Sequence, residues 1–141
     1  MPIKFFNEDT NFQLKERNRI KNWIRDAIIS ENFLTGQINY IFTSDKYLLE
    51  LNKQHLSHNY FTDIITFNYC ENSTINGDIY ISINSVENNS ISFDVSFINE
   101  LNRVMIHGIL HLLGFDDKTN EEKIIMREKE NYYLDRLKKL S

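Results

Sequence analysis

The sequence predicts an α+β fold, a small mixed sheet of about four strands with helices packed on it. Three observations carry this. Short runs of strand formers alternate with helical patterns through the first half. The C-terminal half reads as helix almost throughout. One Pro and four Gly leave little room for linkers or disorder. At 141 residues the chain fits one domain, residues 1–141.

In chain order, IKFF at 3–6 is a candidate first strand. Ile20, Trp23, Ile24, Ala27 and Ile28 stand at helical spacing and predict a helix over roughly 13–31. INYIF at 38–42 is a second strand, and Ser44 caps a short helix running to about Gln54. Residues 62–69 and 78–83 are two more strands. Asn76-Gly77 falls between them and favours a hairpin-like return. The strand, helix and strand of 38–67 suggest a parallel crossover unit. Further on, 84–91 form a short helix, and Ser96 caps a helix from Phe97 to Leu113 that Gly114 terminates. Thr119 and Glu122 make a capping-box pattern opening a last helix to about Lys139.

Composition narrows the function classes. The apolar fraction is a lean 41%, but ten Phe and seven Tyr supply large buried areas. No apolar run approaches the length of a membrane span, so no membrane partner is expected. The N-terminus lacks an apolar signal core, and Cys70 is alone, so a reducing cytoplasm is the expected location. A net charge of −4 weighs mildly against nucleic acid, though not against a local basic patch. Lys15, Arg17, Arg19, Lys21 and Arg25 gather against one acid, Glu16, and read as a solvated helix face.

The chemistry concentrates on the helix at 97–113. On a wheel of about 100° per residue, Glu100, Arg103, His107 and His111 share one narrow stripe. Apolar side chains cover most of the remaining circumference, so the helix is buried and its polar stripe faces a cleft or a polar interior network. His107 and His111, four apart, stand one above the other and can converge on a single ion. Alone, such a pair is as often two ordinary polar-face histidines. Gly114 lets the chain turn back, and Phe115-Asp116-Asp117 brings two carboxylates toward the pair. That is how an open, three-ligand catalytic zinc site is assembled. Gly108 occupies the position where the peptidase motif H-E-x-x-H carries its general base, which argues against a peptidase.

The run HGILHLLGFDD, residues 107–117, resembles the signature H-G-x-L-H-L-x-G-Y-D-H of the YbeY family, zinc-binding endoribonucleases of ribosomal RNA maturation. Both His, both Gly and both Leu sit at the same offsets, and Phe115 stands for the Tyr. Residues 51–67, LNKQHLSHNYFTDIITF, look like the family segment that ends in a T-D-V-L-S-F-like motif, here Thr62 to Phe67. Gly77-Asp78-Ile79 looks like its G-D-I strand start. The resemblance implies one zinc ion, or another divalent ion, on His107, His111 and Asp117. The signature's third ligand is His, and Asp117 in its place adds a negative charge and should leave the ion less electrophilic. Leu56 stands where the family commonly has an Arg thought to engage RNA phosphate.

The implied function is a single-strand-specific, metal-dependent endoribonuclease in ribosomal RNA maturation and ribosome quality control. Ribosomal RNA precursor is its partner, with ribosomal proteins beside it and no DNA. An ion would lower the pKa of a bound water toward neutrality. The base would be that hydroxide or Asp116, and Arg103 is the best available phosphate contact. Two alternatives stand beside it, a non-catalytic metal-containing ribosome-assembly factor and a zinc peptidase-like hydrolase. Of the remaining candidates, His55 and His58 read as surface residues rather than a second metal site, with His55 a possible lining of the cleft. Asp63 reads as a turn or cap residue, Glu100 as a partner of Arg103, and Tyr132-Tyr133 as core or interface.

Overall fold

The computed structural model describes residues 3–56 and 62–140, except the side chains of residues 55 and 56. Within these are four strands, β1 (Ile3–Asn7), β2 (Leu34–Thr43), β3 (Ile64–Asn68) and β4 (Thr74–Ser82). Five helices accompany them: α1 (Arg17–Ser30), α2 (Asp45–Leu56), α3 (Ile83–Ser92), α4 (Phe97–Leu112) and α5 (Asn120–Lys139). The α+β class and the mixed four-stranded sheet agree with the sequence reading. His55 and Leu56 are placed only as backbone of α2, and His58 lies outside the described residues, so that expectation is left where the sequence put it.

The sheet order is β1-β2-β4-β3. β2 pairs in parallel with both β1 and β4, and β3 runs antiparallel on the β4 edge. The expected parallel crossover over 38–67 is therefore wrong. β4 inserts between β2 and β3, and the parallel neighbours of β2 are β1 and β4. Strand direction cannot be read from alternation alone, because a half-buried strand shows the same period whichever way its partner runs.

The hairpin of β3 and β4 is present, but its turn is not at Asn76-Gly77. The chain reverses at Glu71–Thr74, where Asn72 takes φ 54° and Glu71 bridges Thr74. Asn76 and Gly77 lie inside β4. A Cβ at Gly77 would stand 2.7 Å from the Phe67 carbonyl oxygen and 2.9 Å from Leu112 Cδ1. This glycine is needed for the close approach of α4 to the sheet, a use that the dipeptide shares with turns in sequence.

One sheet face is apolar. Ile3, Ile38, Tyr40, Phe42, Ile75, Ile79 and Ile81 are buried there, and register aligns Phe5, Tyr40 and Ile79 across three strands. α1 and α4 cover this face. The Tyr40 hydroxyl donates to the Met105 carbonyl at 2.9 Å, and the Trp23 indole donates to the Tyr133 carbonyl at 2.7 Å, which ties α5 to α1. The opposite face carries the Asn39–Asp78 pair and Tyr80, whose ring stacks on Tyr47 of α2.

α1 starts at Arg17, four residues later than expected, because Glu16 sits at φ 55° and the right-handed helix cannot run through it. The basic run is not a plain solvated face. Arg19 donates to the carbonyls of Leu137 and Leu140, closing the C-terminus of α5, while Arg17 and Lys21 lie over the Phe5 ring. Among the described residues no helix is long and apolar enough to cross a membrane.

Candidate metal centre

α4 begins where expected. The Ser96 hydroxyl accepts from the Asn99 amide, and nearly the whole barrel of the helix is buried, including Leu101, Val104, Met105, Ile106, Ile109 and Leu110. Gly108 lets it come so close to the sheet. A Cβ there would lie 2.9 Å from Ile79 Cγ2 and 3.0 Å from Ile64 Cδ1. Position 108 thus faces the sheet, away from the histidine stripe.

The helix ends in a tight reversal. Gly114 takes φ 105°, its amide bonds to the His111 carbonyl, and the Phe115 amide reaches back to the Leu110 carbonyl at 2.9 Å. The chain then folds over the last turn of α4 and delivers Asp117. The Nε2 atoms of His107 and His111 lie 3.0 Å apart, and Asp117 Oδ2 lies 3.3 and 3.6 Å from them. Donors about 2.0–2.1 Å from one centre in tetrahedral array stand about 3.3–3.4 Å from each other. The observed triangle fits that size, so His107, His111 and Asp117 could hold one metal ion. The histidine side chains are about one-fifth exposed and Asp117 two-fifths, so the corner opens to solvent on one side. Asp116 is exposed.

A residue that the sequence reading missed supports this corner. Glu130, in the middle of α5, is 4% exposed. One oxygen accepts from His107 Nδ1 at 2.6 Å, and the other accepts from Arg103 Nη1 at 2.9 Å. A ring held at Nδ1 by a carboxylate presents Nε2 outward as a lone-pair donor. The hydrogen bond that orients the His107 ring is thus supplied by Glu130. The signal for Glu130 was available. Met126, Glu130, Tyr133 and Leu137 form the buried stripe of α5, and an acid within such a stripe calls for a partner.

Arg103 does not pair with Glu100. Its second amino group donates to Asn131 Oδ1 at 2.9 Å, so its fork is divided between Glu130 and Asn131. Asp63, read as a turn or cap residue, instead lines the cavity above the corner with His107, Glu130 and Arg127. It accepts from Asn89 Nδ2 at 3.4 Å.

The electrostatics follow from this crowding. Burial favours a neutral His107 ring, but the hydrogen bond and charge of Glu130, helped by Asp117 and Asp63, outweigh it and raise the pKa. Burial and the neighbouring His107 hold His111 lower, against the pull of Asp117 and Asp116. Burial works against an ionised Glu130, yet His107 and Arg103 together keep it below the usual range. Burial raises Asp63 and Glu100.

Sheet, helices and corner define an α+β protein with an open, three-donor site suited to one ion. A family model described as endoribonuclease YbeY matches residues 4–138. The endoribonuclease YbeY of Flavobacterium psychrophilum is 48% identical over 126 residues, 89% of this chain and 90% of the relative. That of Karelsulcia muelleri is 43% identical over 137 residues, 97% of this chain and 96% of the relative. A solution structure from Thermotoga maritima matches with a TM-score of 0.67 at 31% identity, covering 96% of this chain and 88% of that one. The chain belongs to the YbeY family, which bears out the resemblance seen in HGILHLLGFDD.

Proposed function

We propose that residues 1–141 act as one hydrolase unit, a single-strand-specific endoribonuclease of ribosomal RNA maturation and ribosome quality control. His107, His111 and Asp117 hold its ion, and zinc is the assignment. The observation that carries this reading is the 3.0, 3.3 and 3.6 Å donor triangle at the floor of an open cleft. Two imidazoles and one carboxylate suit zinc among divalent ions, and three protein donors leave a position for chemistry. When bound, the ion supplies Lewis acidity and lowers the pKa of water.

The chain's own groups do the rest. Glu130 fixes the His107 ring, and Arg103 holds Glu130, so Arg103 acts as a positioning residue on the cleft wall. Two acids are candidates to accept the proton of the attacking water. Asp116 stands exposed at the rim, and Asp63 lines the cavity beside His107. We assign the role to Asp63, since it lines the cavity together with His107 and Asp117, where an attacking water would stand, while Asp116 faces solvent. Gly108 speaks against the peptidase alternative, because a base at that position would be driven into Ile79 and Ile64. Ribosomal RNA precursor is the partner, with ribosomal proteins beside it in the cytoplasm.

Elemental analysis of the purified protein, with cleavage of single-stranded RNA and of casein with and without chelator, tests the reading. One zinc per chain and chelator-sensitive cleavage of RNA alone are expected. Casein cleavage abolished by His107→Ala, or RNA cleavage indifferent to metal, would overturn it. Loss of RNA cleavage in Asp116→Asn but not Asp63→Asn would return the base to Asp116.

A further inference from the structure

The cavity over the donor triangle does not end at Glu130. It has a volume of about 300 Å³ and abuts a second cavity of about 260 Å³. Phe93, Glu100, Arg103 and Arg127 line both, so the two form one continuous trough leading away from the corner. Val95 and Asn99 complete the far part.

Two side chains there are only lightly engaged by the rest of the fold. Phe93 is 61% exposed, an unusual place for a large ring beside a polar cleft. Its backbone is fixed, however. It closes α3 with its amide on the Asn89 carbonyl, and the Val95 amide returns to the Ser90 carbonyl at 3.0 Å. The ring is therefore presented from a rigid cap. Arg127 is 60% exposed and reaches Glu130 Oε1 only at 3.5 Å, while Arg103 holds the same oxygen at 2.9 Å. Arg103 is committed to Glu130 and Asn131, whereas Arg127 keeps most of its fork toward solvent at the trough.

An exposed flat ring beside an outward guanidinium is the chemistry that takes an unpaired nucleotide, base on ring and phosphate on cation. We propose that the second cavity is a nucleotide subsite next to the scissile phosphate, in which Phe93 stacks on an unpaired base of the RNA and Arg127 takes the adjoining phosphate. The proposal rests on the endoribonuclease reading and gives single-strand specificity a physical source, because a base paired in a duplex cannot offer its face to Phe93.

The test uses the full-length, zinc-loaded protein with two readouts. One is fluorescence anisotropy of a labelled single-stranded hexaribonucleotide, read on ice within the first minute and checked on a gel to be uncut, measured against salt. The other is KM and kcat on a cleavable single strand and on a duplex of the same sequence. Phe93→Ala should weaken binding of the hexamer by about 5- to 150-fold, the range of one lost base stack, with KM rising more than kcat falls. Phe93→Tyr should restore most of it. The preference for single strand over duplex should shrink in Phe93→Ala. Arg127→Ala should reduce the salt slope of binding by about one counterion-release unit. Zinc content should stay at one per chain in all three variants. If wild type cleaves RNA and Phe93→Ala binds the hexamer within twofold of it at unchanged zinc content, the subsite is refuted and the endoribonuclease reading stands; the ring then belongs to a protein-facing surface. If wild type neither binds nor cleaves RNA, both fall together.

Discussion

Replacing Glu130 by Gln probes the corner without touching a donor. The side chain is 5% exposed and is bonded to His107 Nδ1 at 2.6 Å and to Arg103 Nη1 at 2.9 Å. Gln keeps the volume and one acceptor but removes the charge that raises the basicity of the His107 ring. Changes to such supporting carboxylates typically cost about 10–100-fold in metal affinity, or about 1.4–2.7 kcal/mol. Glu130→Ala is harsher, since it leaves the Arg103 guanidinium, itself 22% exposed, without its carboxylate. Breaking a fully buried pair costs about 3–5 kcal/mol; with Asn131 and some water still reachable, about 2–3 kcal/mol is expected. At this size that is a fall in melting temperature of roughly 6–15 °C. Metal affinity is read by titration against a chromophoric competitor, and stability by circular dichroism of the metal-free forms. Wild-type zinc affinity in Glu130→Gln would refute the orienting role. A melt unchanged in Glu130→Ala would refute the buried pair.

Four further perturbations follow from the same geometry. Asp117→Ala should lose most of the metal on dialysis and Asp117→His should keep it, whereas Asp116→Ala should retain the ion; the reverse order would shift the site by one residue. Gly108→Glu should cost several kcal/mol, because about 1–3 kcal/mol of overpacking against Ile79 and Ile64 adds to a buried charge, and it should yield no casein cleavage. Gly114→Ala meets no atom within 4 Å, so its cost is backbone strain of about 1–2 kcal/mol, together with a drop in zinc affinity as Asp117 is displaced. Arg19→Ala removes both hydrogen bonds to the end of α5 and should lower thermal stability by about 1–3 kcal/mol without changing zinc content.

What could be read from the chain was local. Ser96, Gly114 and the Thr119–Glu122 capping box act on amides and carbonyls a few residues away, and each is found where its sequence pattern placed it. The donor triangle belongs with these, since one helical turn and one reversal bring residues 107, 111 and 117 together. Strand direction and the turn of the hairpin are different. Asn76-Gly77 looks like turn chemistry because glycine serves both φ freedom and close approach, and only the position of Leu112 shows which one is used. Glu16 at φ 55°, which delays α1, has no sequence mark either.

The support of the site came from afar, and that is where the sequence was silent. Glu130 is 23 residues from His107, and Asp63 reaches the cleft from the start of β3. Neither sits near the motif, and each has a common bland use on its own element. Their roles arise because Gly108 and Gly77 let α4 lie directly on β3 and β4, while Trp23 and Arg19 bind α5 to α1. The first contact sets the histidine stripe over the end of β3, and the second carries Glu130 across to it. A side chain at either glycine would lift the helix from the sheet and separate Asp63 from His107 without altering a single donor. Gly77 and Gly108 therefore belong to the site as much as to the fold, although neither has a side chain with which to bind anything.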